Sequence, residues 1–451
     1  VTGQESCPRT AQTVCSNTRY PAHARHIHAN DARLRAAIRK CGNTEKLKLE
    51  TAMKLENGIG HLSYSTLVHP GDTWEQMKAS AYKYLPAVKA RVSPNAPFAV
   101  SLRLSAASAR TLASDPAERA EFKKFLADND LYLYTVNAFV YGSFKNTVVK
   151  EQVYEPDWHT EERLRYTMDV ADVVAELAPA GISPSIQTAP LAFRPRVTGP
   201  DYVAGITRNV LRMVAHLAQL EERTGRRVTV ALEPEPACYL ETTDDTIKYF
   251  SEQLYTGTAS RALAALSGMP ISEAIGALRR YIGIVYDICH QAVEFEDIAG
   301  SLERLVDAGI PIFKLQEAAA VRIPNVNQEA VDALARFADS IYLTQTTELK
   351  DGKITQFLNL EDAFAAWKKD PGPREWRTHF HVPVFLTELG ILGTTRFAIE
   401  DALRTHRATP LSTHLEIETY TWDVLPDHLK TGDIVDYVSR EIEWVRSQLE
   451  H

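Results

Sequence analysis

Val228-Thr-Val-Ala-Leu-Glu-Pro-Glu-Pro236 is the stretch whose reading decides the fold. It is a short run of strand-forming residues that ends in a carboxylate. Successive side chains of an extended chain alternate between faces, so Val228, Val230 and Leu232 point one way and Thr229, Ala231 and Glu233 the other. Pro234 and Pro236 stop the strand and stiffen the loop that follows. An apolar outer face, a polar inner face and a polar residue at the C-terminal end describe a strand of a parallel α/β barrel, whose active site gathers at those ends.

The same pattern recurs on both sides of this stretch. Gly60 to Ser65 alternates and reads as a first strand with His61, Ser63 and Ser65 on one face. Thr73 caps a helix running to about Val92. Phe98 to Leu104 is a second strand with Ser101 and Arg103 inward, and a helix near Pro116 to Asp128 follows. Leu131 to Asn137 is the third strand, and helix Thr160 to Leu177 leads to the fourth, Ile182 to Gln187. Helix Asp201 to Thr224 precedes the opening stretch, and a mostly helical excursion, Thr242 to Tyr281, follows it. Ile282 to Ile288 is the sixth strand with Asp287 at its end, then comes a helix from about Glu296 to Ala308. Pro311 to Gln316 is the seventh strand, with Lys314 and Gln316 inward. Such strand–helix alternation is the sequence form of a (β/α)8 TIM barrel.

Beyond the seventh strand there are more candidates than places. Ile341 to Thr346 and Lys353 to Leu358 flank the turn Lys350-Asp351-Gly352 and read as a β-hairpin excursion. His414 to Tyr420 alternates cleanly after a helix of about Thr395 to Thr405 and takes the eighth barrel position. His379 to Phe385 is then an added strand or rim element near the site.

Composition bounds the function. The chain has 451 residues and a net charge of −8, which makes nucleic acid and anionic membranes poor partners. No apolar run approaches the ~20 residues of a membrane helix. The five cysteines do not form a disulfide framework, so a reduced, cytoplasmic setting is expected. Residues 1–52 carry nine Lys/Arg against four Asp/Glu and no sustained strand pattern, and read as an extension outside the barrel. Cys7, Cys15, Cys41, His26 and His28 lie there without a tight CxxC pair, which weighs against a zinc module. The barrel domain is expected over 53–448, with Leu449-Glu450-His451 resembling the start of a purification-tag scar.

The polar residues at the strand ends are Asn137, Gln187, Glu233, Asp287, Gln316 and Glu418, with His290 just past the sixth strand and His381 in the added one. Burying several carboxylates together is costly unless a cation neutralises them. Glu233, Asp287, His290, Gln316, Glu418 and His381 therefore form a candidate ligand set for one divalent metal ion, with manganese, zinc or cobalt suited to mixed oxygen and nitrogen donors. Glu233 and Glu418 are candidates for an acid–base pair, and Lys314 is a third catalytic candidate. His61, Arg103, Asn137, Gln187, His379 and Glu416 are candidates for binding substrate. Each has a plainer reading. Glu233 and Glu418 pair with Arg103 and Lys314 at the rim, Asp287 caps a helix, and His290 bonds a neighbouring carboxylate. Cys289 points away from Asp287 and His290 on strand alternation and is a packed thiol, and Tyr132 and Tyr134 pack between barrel and helices.

Leu232-Glu-Pro234, Val285-Tyr-Asp-Ile-Cys-His290, Lys314-Leu-Gln316 and a glutamate-bearing last strand resemble the xylose-isomerase-like TIM-barrel superfamily of sugar isomerases, epimerases and AP endonucleases. The resemblance implies a metal among a glutamate after the fifth strand, an aspartate and histidine after the sixth, a histidine in the seventh and a glutamate in the eighth. Glu233, Asp287, His290 and Glu418 match those places. Gln316 stands where a histidine is usual, and His381 is the alternative fourth ligand. From Met53 onward, Leu62-Ser-Tyr-Ser-Thr-Leu-Val-His-Pro-Gly71, Leu102-Arg-Leu-Ser105, Tyr134-Thr-Val-Asn-Ala-Phe139, His379-Phe-His-Val-Pro383 and Glu416-Ile-Glu-Thr-Tyr-Thr-Trp422 resemble the bacterial EboE-type metabolite traffic proteins. That resemblance implies a role in secondary-metabolite precursor handling and defines no reaction. The expected function is a metal-dependent isomerase or epimerase of a small polyol, a sugar or cyclitol. The alternatives are a metal-dependent phosphoester hydrolase of the AP-endonuclease-like branch and a non-catalytic metabolite carrier.

Overall fold

The computed structural model describes residues 59–144, 149–338, 342–423, 430 and 432–450. The expectations for residues 1–52, including the cysteine and histidine cluster, lie outside the described residues.

Strands are numbered in chain order. Eight of them form one parallel sheet in the order β1, β14, β7, β6, β5, β4, β3, β2. Their ranges are β1 His61–Tyr64, β2 Phe98–Arg103, β3 Leu131–Asn137, β4 Ser185–Thr188, β5 Thr229–Leu232, β6 Ile282–Asp287, β7 Ile312–Glu317 and β14 His414–Ile417. A parallel bridge between Ser65 and Ser101 joins the two ends and closes the barrel. The expected (β/α)8 fold is therefore the observed one, and His414 to Ile417 holds the eighth barrel place, between β7 and β1. Val228, Val230 and Leu232 join the core between barrel and helices, as alternation requires. Gly283 lets β6 and β7 approach, since a Cβ there would meet the carbonyl oxygen of Pro311 at 2.3 Å.

Helices cover the barrel, and several of their starts carry side-chain caps. Thr73 and Gln76 form a capping box before Trp74–Val92, and Thr160 accepts from the backbone of Arg163 before Glu161–Leu177. The excursion after β5 comprises the helices Thr243–Tyr249, Gly257–Ser267 and Ile271–Tyr281. The helix Ala106–Ser114 was not expected from the sequence. The final helix, Ile434–Glu450, buries Leu449 in the core. Among the described residues no helix is long and apolar enough to cross a membrane.

A second, antiparallel sheet grows out of the connection between β7 and β14. It comprises β8 Ala319–Ile323, β9 Thr346–Lys350, β10 Lys353–Phe357, β11 Glu375–Val382, β12 Glu388–Leu389 and β13 Leu392–Thr394, in the order β10, β9, β11, β8, β13, β12. Asp351 and Gly352 at the β9–β10 turn have φ values of 50° and 76°, the positive pair that a tight hairpin turn requires. The first strand of that hairpin starts at Thr346, where the sequence reading ended it. β11 contains the His379-Phe-His381 segment and lies in this sheet, outside the barrel.

Candidate metal centre

Glu233 follows β5, Asp287 ends β6, Gln316 lies near the end of β7 and Glu418 follows β14. Parallel strands in a closed barrel bring these four ends together. One oxygen from each of Glu233, Asp287 and Glu418 lies within 4.8 Å of the others, and all three residues are buried. The Gln316 amide sits among them. Its Nε2 donates to Glu233 Oε1 at 2.7 Å, to Asp287 Oδ2 at 2.5 Å and to Glu418 Oε2 at 3.0 Å. An amide nitrogen carries only two hydrogens, so one neutral group faces three carboxylates it cannot all satisfy.

The electrostatics follow. Burial, then the nearby Glu418 and Asp287, push the Glu233 carboxyl far above its ordinary range. Burial and Glu416 push Glu418 up to about 8. Burial also raises Asp287, although His381 and hydrogen bonds from His290 and Gln316 oppose it. Asp287 serves two ends at once: Oδ1 caps the helix Ile288–Val293 by accepting from the His290 backbone at 3.0 Å, and Oδ2 faces Gln316. Asn137 Nδ2 donates to Glu418 Oε1 at 2.8 Å.

Three histidines lie beside the carboxylates. His290 Nδ1 bonds the Pro234 carbonyl at 2.8 Å, which leaves Nε2, 3.8 Å from Asp287 Oδ2, as the basic nitrogen. His379 Nδ1 faces Gln345 Oε1 at 3.2 Å, and its Nε2 lies 3.3 Å from His381 Nε2. Burial keeps all three neutral, pushing His290 down to about 4, His381 to about 3 and His379 well below its ordinary value. Their ring nitrogens form further close ligand groups: Asp287 with His290 and His381, Glu235 with His290 and His379, and Cys289 with His379 and His381.

These residues fit a divalent ion. Among the described residues, no Lys or Arg contacts the three buried carboxylates, and the buried Gln316 Oε1 and His381 Nδ1 have no hydrogen-bond partner. Turning the Gln316 amide over points its oxygen into the carboxylate cluster, the donor set expected of manganese, zinc or cobalt.

A cavity of ≈ 60 Å³ opens onto the centre. Asn137, Gln187, Glu233, Glu235, His290, His379 and Glu418 form its polar side, and Leu67, Phe139, Val140, Phe144, Val153 and Tyr420 its apolar side. Of the expected substrate contacts, Asn137, Gln187 and His379 line this space. His61, Arg103 and Glu416 do not, and neither does the catalytic candidate Lys314.

The reasons are positional. His61 starts β1 in register with His414, four residues before Glu418, and its Nδ1 bonds the Tyr132 hydroxyl at 2.8 Å. It belongs to the opposite, N-terminal end of the barrel. Arg103 Nη1 bonds Gly71 O at 2.6 Å and Asp72 Oδ1 at 3.0 Å, and Nη2 bonds Gly142 O at 3.0 Å, so it ties loops together. Lys314 Nζ pairs with Glu416 Oε1 at 2.8 Å one layer below Gln316 and Glu418. Tyr132 and Tyr134 also depart from expectation. A register shift between Val100 and Ser101 against β3 turns both rings inward, where Tyr134 packs edge-on against His414 and its hydroxyl bonds Leu415 O across the barrel. Cys289 is helical, so strand alternation does not apply to it, and its sulfur lies beside His379 and His381.

Sequence reasoning missed Glu235, Tyr154, Gln345 and Tyr420. Glu235 Oε1 accepts from the Tyr154 hydroxyl at 2.8 Å, and Gln345 Nε2 bonds that hydroxyl at 2.9 Å. Glu235 shares the parity of Glu233 two residues earlier, and that spacing was the available signal.

Neither a family model nor a curated protein matches the chain. Similar solved structures are xylose isomerase-like TIM barrels and related proteins. A xylose isomerase-like TIM-barrel protein from Mycobacterium smegmatis in complex with magnesium has a TM-score of 0.45 at 11% identity, covering 87% of this chain and 97% of that one. A D-tagatose 3-epimerase-like protein has 0.44 at 12% identity, covering 86% and 97%. The IOLI protein with a zinc atom has 0.43 at 10% identity, covering 86% and 98%.

Proposed function

We propose that this protein is a metal-dependent isomerase or epimerase of a small polyhydroxylated metabolite, a sugar or cyclitol, and that it serves precursor handling as an EboE-type protein. The observation that carries the reading is the buried Glu233–Asp287–Glu418 cluster, which shares a single neutral amide. Glu233, Asp287, Gln316 and Glu418 would hold the ion. When bound, a divalent ion supplies Lewis acidity toward a substrate oxygen.

The chain's own groups supply the rest. Glu235 is pushed up to about 8 by burial and accepts the Tyr154 hydroxyl on Oε1, so at neutral pH its proton rests on Oε2. Glu235 lines the cavity, where it is placed to give that proton and, once ionised, to take one from a carbon next to a carbonyl. Asn137 orients hydroxyl groups, and the Phe139, Phe144 and Tyr420 wall excludes water. Elemental analysis of protein purified without chelator tests the reading, with about one equivalent of manganese, zinc or cobalt per chain expected. Glu233→Gln should abolish most of that uptake while the fold survives. Metal-loaded protein should then exchange substrate C–H for deuterium in heavy water with a responsive sugar or cyclitol.

A second reading, a metal-dependent phosphoester hydrolase, draws on the three neutral imidazoles. His290, His379 and His381 beside Glu235 and Cys289 offer a second ion a home next to the first, and paired ions stabilise both oxygens of an in-line displacement. Two tightly held equivalents, with phosphatase activity and no isomerisation, would favour it.

A further inference from the structure

Beneath the carboxylates lies a second polar layer that the proposed chemistry leaves untouched. Ser101, Gln187, Lys314 and Glu416 are all buried there. Lys314 Nζ donates to Glu416 Oε1 at 2.8 Å and also to Gln187 Oε1. Ser101 Oγ donates to the other Glu416 oxygen. Gln187 Nε2 donates upward to Glu233 Oε2 at 2.5 Å. These bonds form one line across the barrel interior, from β2 through β14, β7 and β4 to the glutamate after β5.

A primary amide has two ends of nearly the same shape and opposite polarity. Between an ammonium group and a carboxylate, only one orientation of Gln187 works, with oxygen toward Lys314 and nitrogen toward Glu233. Reversal would set NH₂ against an ammonium group, which has donors only, and oxygen against a carboxylate. Two repulsions would then replace two hydrogen bonds. Gln316 offers a partial contrast: its Oε1 has no partner among the described residues, so only the bonds from its nitrogen to the carboxylates oppose reversal, and a bound cation would remove that opposition. A buried pair such as Lys314–Glu416 is weak evidence of a stabilising role, because apolar replacements of such pairs are often neutral or stabilising. The bonds it makes do favour one orientation of Gln187.

We propose that Lys314 is a positioning residue for the metal ligand Glu233, acting through the amide of Gln187. It ties Glu233 Oε2 down and leaves Oε1 facing Asp287 and Glu418. The inference rests on the reading of Glu233 as a ligand.

The test removes both charges together, so that no buried carboxylate is left alone. Lys314→Met/Glu416→Leu, Gln187→Met and the triple combination are compared with wild-type protein. Cobalt affinity is measured by titration, and the Gln187 side-chain amide is followed by ¹⁵N NMR in metal-free protein. The pair variant should fold and lose about 10- to 100-fold in cobalt affinity, the usual effect of removing an outer partner of a ligand. Gln187→Met should lose the same factor, and the triple variant no more, because both substitutions break one line. The Gln187 amide signals should move in the pair variant. If the apolar pair does not fold, Lys314→Gln/Glu416→Gln replaces it. An amide at 314 can donate or accept, so it no longer dictates the orientation of Gln187, and the same loss is expected. Full affinity in the folded pair variant, or losses that multiply in the combination, would overturn the proposal. If wild-type protein takes up no cobalt, the metal reading falls on its own, and the amide signals decide the role of Lys314: unchanged signals refute it.

Discussion

Replacing Glu418 by glutamine should stabilise the metal-free protein and weaken the metal-bound one. Glu418 is fully enclosed, and burial with the neighbouring Glu416 raises its carboxyl from 4.5 to about 8. The folded state therefore holds a proton that the unfolded chain releases. A carboxyl with a raised folded pKa favours the fold below the unfolded value, and that advantage is lost as pH rises through the folded value. At pH 7 the penalty is about 3 kcal/mol. Glutamine does not ionise and avoids it. Its amide cannot accept from both Asn137 and Gln316, which now donate to the two carboxylate oxygens, so about 1 kcal/mol of hydrogen bonding is lost. The net gain is about 2 kcal/mol at pH 7, falling to nothing or to a small loss near pH 4.5. Thermal unfolding in chelator from pH 4.5 to 8 measures it. With manganese or cobalt at a hundred times the dissociation constant, wild-type protein gains about 2.7 kcal/mol and the variant much less, so the order inverts. A variant less stable than wild type in chelator at every pH would refute the account of like charges buried without a cation.

Other outcomes are expected. His379→Ala removes a nitrogen shared by two of the ligand groups; if a second ion binds there, stoichiometry falls from two equivalents to one while Glu233, Asp287 and Glu418 keep theirs, and an unchanged count of two places the second ion elsewhere. Deleting residues 1–52 is expected to leave a folded barrel with an unaltered melting temperature, because β1 begins at His61 and the Ser65–Ser101 bridge closes the sheet; a truncated chain that fails to unfold cooperatively would move the domain boundary upstream.

Much of the centre was legible because side-chain parity is local. A strand alternates with period two whatever surrounds it, so Glu233, Asp287, Gln316 and Glu418 could be assigned to the inner face from spacing alone. The eighth barrel strand was legible for the same reason, in the alternation of His414 to Tyr420. Depth was not legible. Lys314 and Glu416 share the parity of Gln316 and Glu418 yet lie a layer beneath them, where they can orient Gln187 but cannot reach the cavity.

By itself, then, the sequence determined which faces are polar and in what order strands and helices follow. Those are consequences of backbone geometry over a few residues. Tertiary structure alone decided how far along the barrel each polar residue lies, because that depends on the stagger between strands. It alone reversed the facing of Tyr132 and Tyr134, through one register shift between β2 and β3. It also brought His379 and His381, from a sheet outside the barrel, against His290 and Asp287. Contacts between residues some ninety positions apart depend on how two sheets meet, and no local period encodes that.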